Sequence, residues 1–90
     1  MTVTFRILTD ARTFKVTGQT AKALVALHEA GERGCTALDV VSWASRLAHY
    51  VLCLPRLGLS IDMVREQHQG GWHGRYVLRT GVQILETADA

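Results

Sequence analysis

The residues describe an α+β domain in which helices lie between a leading and a closing pair of strands. Three observations carry that expectation: apolar alternation toward both ends of the chain, apolar spacing by three and four in the middle, and glycines at the joints. Ninety residues make one domain, and an apolar fraction of 48% supplies a core without external staples. Charged residues are 20% and no low-complexity run occurs, so a disordered class is excluded.

At Thr2 to Leu8, Val3, Phe5 and Ile7 alternate with Thr4 and Arg6, the pattern of a strand with one buried face. Thr9-Asp10-Ala11-Arg12 is turn-like, and Thr13 to Thr17 alternates again through Phe14 and Val16. An N-terminal hairpin is expected, broken by Gly18. A first helix follows from Thr17 or Gln19 to about Ala30, with Ala23, Leu24, Leu27 and Ala30 at helical spacing and Gly31 as its stop. Thr36 is a good N-cap for a short second helix from Ala37 to about Ser42, with Asp39 as its capping-box partner.

A third helix is expected from Trp43 or Ala44 to Leu57. Leu47, Tyr50, Val51, Leu54 and Leu57 form its inner stripe, and Ser45, Arg46, His49, Cys53 and Arg56 its other side. Pro55 lacks an amide donor and should kink or close the last turn, and Gly58 ends it. Ser60 to Gln67 and Gly74 to Arg79 read as two strands around a glycine-rich loop, His68 to His73. This hairpin and the leading one are expected to share one small sheet. The domain is expected over residues 1–80, with 81–90 a tail that is a short strand around Val82 to Leu85 or disordered.

The order β-β-α-α-α-β-β is that of a winged helix-turn-helix: three helices, a C-terminal β-hairpin wing and an extra N-terminal hairpin. In such a layout one helix props the next so that its outer face enters a major groove. Ser45, Arg46 and His49 occupy the first turns of that outer face. Arg46 suits the fork of acceptors on guanine, and Arg56 lies farther along. Arg65, Gln67, His68, Trp72, His73 and Arg75 cluster about Gly70-Gly71 with donors suited to phosphate or the minor groove. The competing reading of each is plain: solvent-facing polar residues on an amphipathic helix, and a tryptophan folded back over its sheet. Trp43 reads as core.

Net charge is only +2, but its distribution is uneven. Residues 42–80 hold Arg46, Arg56, Arg65, Arg75 and Arg79 against Asp62 and Glu66, and every basic residue there is arginine. Cys35 and Cys53 read as reduced thiols. Met1 to Arg6 lacks the apolar stretch of a signal peptide, and His49 interrupts the longest apolar run, Leu47 to Leu54. A cytoplasmic protein is expected. Neither His68 with His73 nor Cys35 with Cys53 has zinc-ligand spacing, and no nucleophile with its base, no phosphate-cradling loop and no cofactor motif is present. No metal, cofactor, small-molecule ligand or enzymatic activity is expected.

Several segments resemble a small winged-helix family of bacteriophages, prophages and alphaproteobacteria. They are Phe14-Lys15-Val16-Thr17-Gly18, Gly34-Cys35-Thr36-Ala37-Leu38-Asp39, Trp43 to Val51, Leu57-Gly58-Leu59-Ser60-Ile61 and Arg75-Tyr76-Val77-Leu78-Arg79. The resemblance implies a helix-turn-helix fold that binds DNA, with Ser45, Arg46 and His49 and the wing around Arg75 facing it. The leading expectation is therefore a transcriptional regulator or architectural factor that binds double-stranded DNA as a homodimer. The alternative is a protein-interaction module on the same fold, since a fold does not dictate a function.

Overall fold

The computed structural model describes residues 1–40 and 47–88. Strands β1 (Thr2–Ile7) and β2 (Thr13–Thr17) lead into helix α1 (Gly18–Ala30). Two 3₁₀ turns, Gly31–Arg33 and Ala37–Val40, precede helix α2 (Leu47–Cys53), and a third, Pro55–Leu57, follows it. Strands β3 (Ile61–His68), β4 (Gly71–Leu78) and β5 (Val82–Ala88) complete the order.

β1 is the centre of a three-stranded antiparallel sheet, β2-β1-β5. Its alternation is realised fully: Val3, Phe5 and Ile7 are buried against α1, which offers Ala21, Ala23, Leu24 and Leu27. Phe5 sits opposite Phe14 with ring centroids 5.8 Å apart. The register with β5 shifts between Thr4 and Phe5, leaving Leu85 as the extra residue of a bulge. The strand expected around Val82 to Leu85 is present and longer, Val82–Ala88, as an edge strand of this sheet. β3 and β4 pair only with each other, so the two hairpins occupy separate sheets rather than one.

Two α-helices, not three, are present among the described residues. Over Ala37–Val40 the chain makes only the tighter i→i+3 bond, Asp39 N–H to the Thr36 carbonyl at 3.1 Å. Asp39 still caps this turn, its carboxylate accepting from Thr36 N–H at 2.8 Å and from the Thr36 hydroxyl at 3.2 Å. Trp43, Ser45 and Arg46, with the expected start of the third helix, lie outside the described residues.

The third helix is α-helical to Cys53 rather than to Leu57. Without an N–H at Pro55, the chain tightens: Leu54 N–H bonds the Val51 carbonyl at 3.2 Å and Leu57 N–H the Leu54 carbonyl at 2.9 Å. The inner stripe faces inward as spaced, with Leu47, Val51 and Leu54 buried and Tyr50 and Leu57 packed beside them. Gly58 closes the turn at φ +87°, and the Arg12 guanidinium crosses so close that a Cβ there would meet it at 2.7 Å.

Candidate nucleic-acid interface

The β3–β4 hairpin is longer than its residues suggested. The expected six-residue loop shrinks to Gln69-Gly70, because His68 pairs with Gly71, Gln67 with Trp72 and Glu66 with His73. Trp72 and His73 are strand residues, not loop-tip residues. Alternation along these strands then sorts the candidate residues onto two faces.

One face carries Met63, Arg65 and Gln67 opposite Tyr76, Gly74 and Trp72. Arg65 lies over Trp72 with its guanidinium carbon 4.2 Å from the ring centroid, and the indole is 50% exposed. Gly74, opposite Arg65, leaves room there: a Cβ would press on the Met63 side chain at 3.1 Å. The stack holds a long cationic side chain upright on a rigid strand without neutralising it. Trp72 therefore supports Arg65 rather than hanging free in solvent.

The other face carries Val64, Glu66 and His68 opposite Arg75, His73 and Gly71. Glu66 binds Arg75 through one carboxylate oxygen at 3.0 Å and His73 through the other at 2.8 Å. These contacts, Arg75 first, hold the Glu66 carboxyl below the usual carboxylate range. The His68 and His73 rings stack with centroids 5.1 Å apart. Together with Thr36, Ala37 and Leu38 the two imidazoles line a cavity of about 450 Å³.

On α2, His49 is exposed and meets Tyr50 edge-on at 5.4 Å. Arg56 is exposed on the following 3₁₀ turn. The structure thus brings Arg65 together with Trp72, and His68 with His73 and Arg75. His49 and Arg56 stand apart on the helical segment, and Ser45 and Arg46 lie outside the described residues.

Charge separates the arginines further. Arg79 is paired with Asp62 at 2.8 Å, Arg75 with Glu66 at 3.0 Å and Arg12 with Asp10 at 2.7 Å. Arg33, Arg56 and Arg65 have no ion pair among the described residues, and Arg6 bonds only the neutral Gln83 amide at 2.6 Å. Sequence reasoning missed Arg33 and Glu66. Arg33 was hidden in a half of the chain where charges nearly balance, and Glu66 becomes visible only once the two-residue turn fixes the register.

Cys35 and Cys53 are free thiols. Burial, and then the nearby Asp39 charge, push the Cys35 thiol up, away from the thiolate that nucleophilic chemistry needs. Among the described residues no group of three or more His, Cys, Asp or Glu is placed to hold a metal ion, and no helix is long and apolar enough to cross a membrane.

Helices α1 and α2 lie between a leading hairpin and the β3–β4 hairpin, the helix-then-wing order expected of a winged helix. The comparison with protein families agrees: a family model described as Winged helix domain matches residues 13–88. The chain belongs to this winged helix domain family, and the match includes β5. No curated protein and no solved structure matches the chain significantly.

Proposed function

We propose that the chain binds double-stranded DNA, with α2 directed to the major groove and the β3–β4 hairpin laid as a wing along the backbone. The observation that carries this reading is the winged-helix match over residues 13–88 together with Arg65, a cation stacked on Trp72 that has no ion pair among the described residues. Ser45, Arg46 and His49 are the base-reading candidates, and Arg56, Arg65, His68 and Trp72 the backbone-facing ones. His73 and Arg75 belong to the same hairpin but already hold Glu66. A module of this size touches few base pairs, so it acts as a homodimer on a two-fold site. The role is that of a transcriptional regulator or architectural factor of the phage and prophage kind, a cytoplasmic and non-enzymatic one.

A salt titration of binding to a random duplex tests the reading, because only phosphate contacts release counterions. A log–log slope of roughly −3 to −6 is expected for a dimer with two or three phosphate contacts per chain. A flat response between low and physiological salt overturns it and favours a protein-interaction module.

A further inference from the structure

Arg75 reaches in two directions. Its Nε donates to Glu66 on β3 at 3.0 Å, and its Nη1 donates to the backbone carbonyl of Arg33 at 3.1 Å, outside the hairpin altogether. One side chain on β4 therefore ties the hairpin to the 3₁₀ turn Gly31–Arg33 that ends the α1 segment. The backbone repeats the tie one residue along. Cys35 N–H donates to the Tyr76 carbonyl at 2.8 Å, and Tyr76 N–H returns to the Cys35 carbonyl at 2.9 Å. Gly34 lies between these contacts at φ +75°, and a Cβ there would come within 2.8 Å of Arg75 Cγ and 2.9 Å of the Tyr76 carbonyl. The bare backbone at Gly34 is what lets Arg75 lie across the junction.

We propose that Arg75 and Glu66 are positioning residues of the wing: they fix the angle at which the hairpin leaves the helical body, and Arg75 meets no phosphate itself. The proposal rests on the DNA-binding reading and deepens it. Arg65 and Arg75 differ by an odd number of register steps, so they occupy opposite faces of the hairpin, and only Arg65 presents its charge without a counter-ion. A guanidinium suits the junction because its planar fork donates to a carboxylate and a carbonyl at once, which an ammonium does not do in that geometry.

The sign of one effect decides the matter. Removing the negative charge of Glu66 should strengthen DNA binding on electrostatic grounds alone, whereas loss of a positioning contact should weaken it. The experiment measures binding of the full chain to a labelled random duplex across a salt series for the parent, Glu66→Gln, Arg75→Gln, Arg75→Lys and Arg65→Gln. In parallel, amide hydrogen exchange is followed without DNA at Cys35 and Tyr76, with Val3 and Phe5 reporting that each variant is folded. Glu66→Gln, Arg75→Gln and Arg75→Lys should each bind roughly three- to thirtyfold more weakly with an unchanged salt slope, and their Cys35 and Tyr76 amides should exchange faster. Arg65→Gln should lower the slope by about 0.9 per chain and leave that exchange alone. Tighter binding by Glu66→Gln overturns the proposal, as does an Arg75→Lys variant that matches the parent while Arg75→Gln loses slope. If the parent itself shows no salt-dependent binding, the DNA reading fails. The exchange data then still judge the junction: unchanged Cys35 and Tyr76 protection in Glu66→Gln and Arg75→Gln overturns it too.

Discussion

The sheet around β1 and the β3–β4 hairpin are both antiparallel and lie in one small domain, yet they are held by different forces. Every second residue of β1 is buried, and Val3 and Phe5 are wholly inaccessible. β3 has no buried residue at all, and β4 has only Val77. The first sheet is fixed by apolar burial, which is non-directional and sums over area. The hairpin is anchored only at its base, where Val77 is buried and Ile61, Tyr76 and Leu78 pack on the core. Beyond it the hairpin is held by its own ladder and by directional polar ties at Glu66, Arg75 and the Cys35–Tyr76 bridge. The lesson is a division of labour: burial carries the stability, and directional contacts set the orientation of a surface that must stay wet to meet a partner.

The contrast breaks most visibly in the core. Phe5→Ala removes a fully buried ring packed on Phe14 and should cost roughly 3–5 kcal/mol, read by denaturant unfolding. A loss under 1 kcal/mol would mean that burial does not hold the sheet.

The junction comes next. Gly34→Ala adds a Cβ that collides with Arg75, the Tyr76 carbonyl and Val77, at a positive φ that alanine resists. It should cost roughly 2–4 kcal/mol, with the loss of amide protection concentrated at Cys35 and Tyr76. Uniform loss across the domain would erase the distinction between body and wing.

On the hairpin itself, Trp72→Ala should lower stability by only about 1–2 kcal/mol, since half the indole is already in water and its main contact is the Arg65 guanidinium. Its DNA binding should fall by more than that stability loss would imply, because Arg65 loses its support. A large drop in melting temperature with unchanged binding would make Trp72 a core residue instead.

The smallest effect is one of pH. Arg75 and His73 hold the Glu66 carboxyl below its ordinary value. A carboxylate depressed in the folded state adds stability that is complete above its unfolded value, near 4.3, and is lost as pH falls through the folded one. Melting temperatures of the parent and Glu66→Gln should therefore differ at pH 7, and the gap should narrow as pH falls below about 4.3. A constant gap down to pH 3 would show that the Glu66 charge contributes nothing.

Much of the body was legible from spacing alone. Val3, Phe5 and Ile7, the α1 stripe, and Leu47, Val51 and Leu54 all fall where a period of two or of three and four places them. The helical count was not. A capped start at Thr36 says where a turn begins but not of which kind, and over Ala37–Val40 the chain is 3₁₀ rather than α-helical. In the hairpin, Gly70-Gly71 looked like the middle of a loop, whereas the turn is centred between Gln69 and Gly70. That single shift moves Trp72 and His73 into a strand and makes Glu66 their neighbour. The contacts of Arg75 were hidden for a deeper reason. Its second partner is a backbone carbonyl at Arg33, and a carbonyl looks the same at every position of a sequence.

The pairing of β5 with β1 has a kinetic consequence. The central strand of the main sheet, β1, precedes one of its two neighbours, β5, by more than seventy residues, with the rest of the domain made between them. Until Val82–Ala88 has emerged, β1 holds a single partner and leaves the backbone groups of Thr4, Arg6 and Leu8 on its other edge unpaired. Loop-closure entropy must be met across nearly the whole chain before that ladder forms, which raises contact order and slows folding for a protein of this length. Nascent chains halted between the β3–β4 hairpin and β5 should accordingly be the aggregation-prone species, with an open sheet and a wing that already has its own ladder.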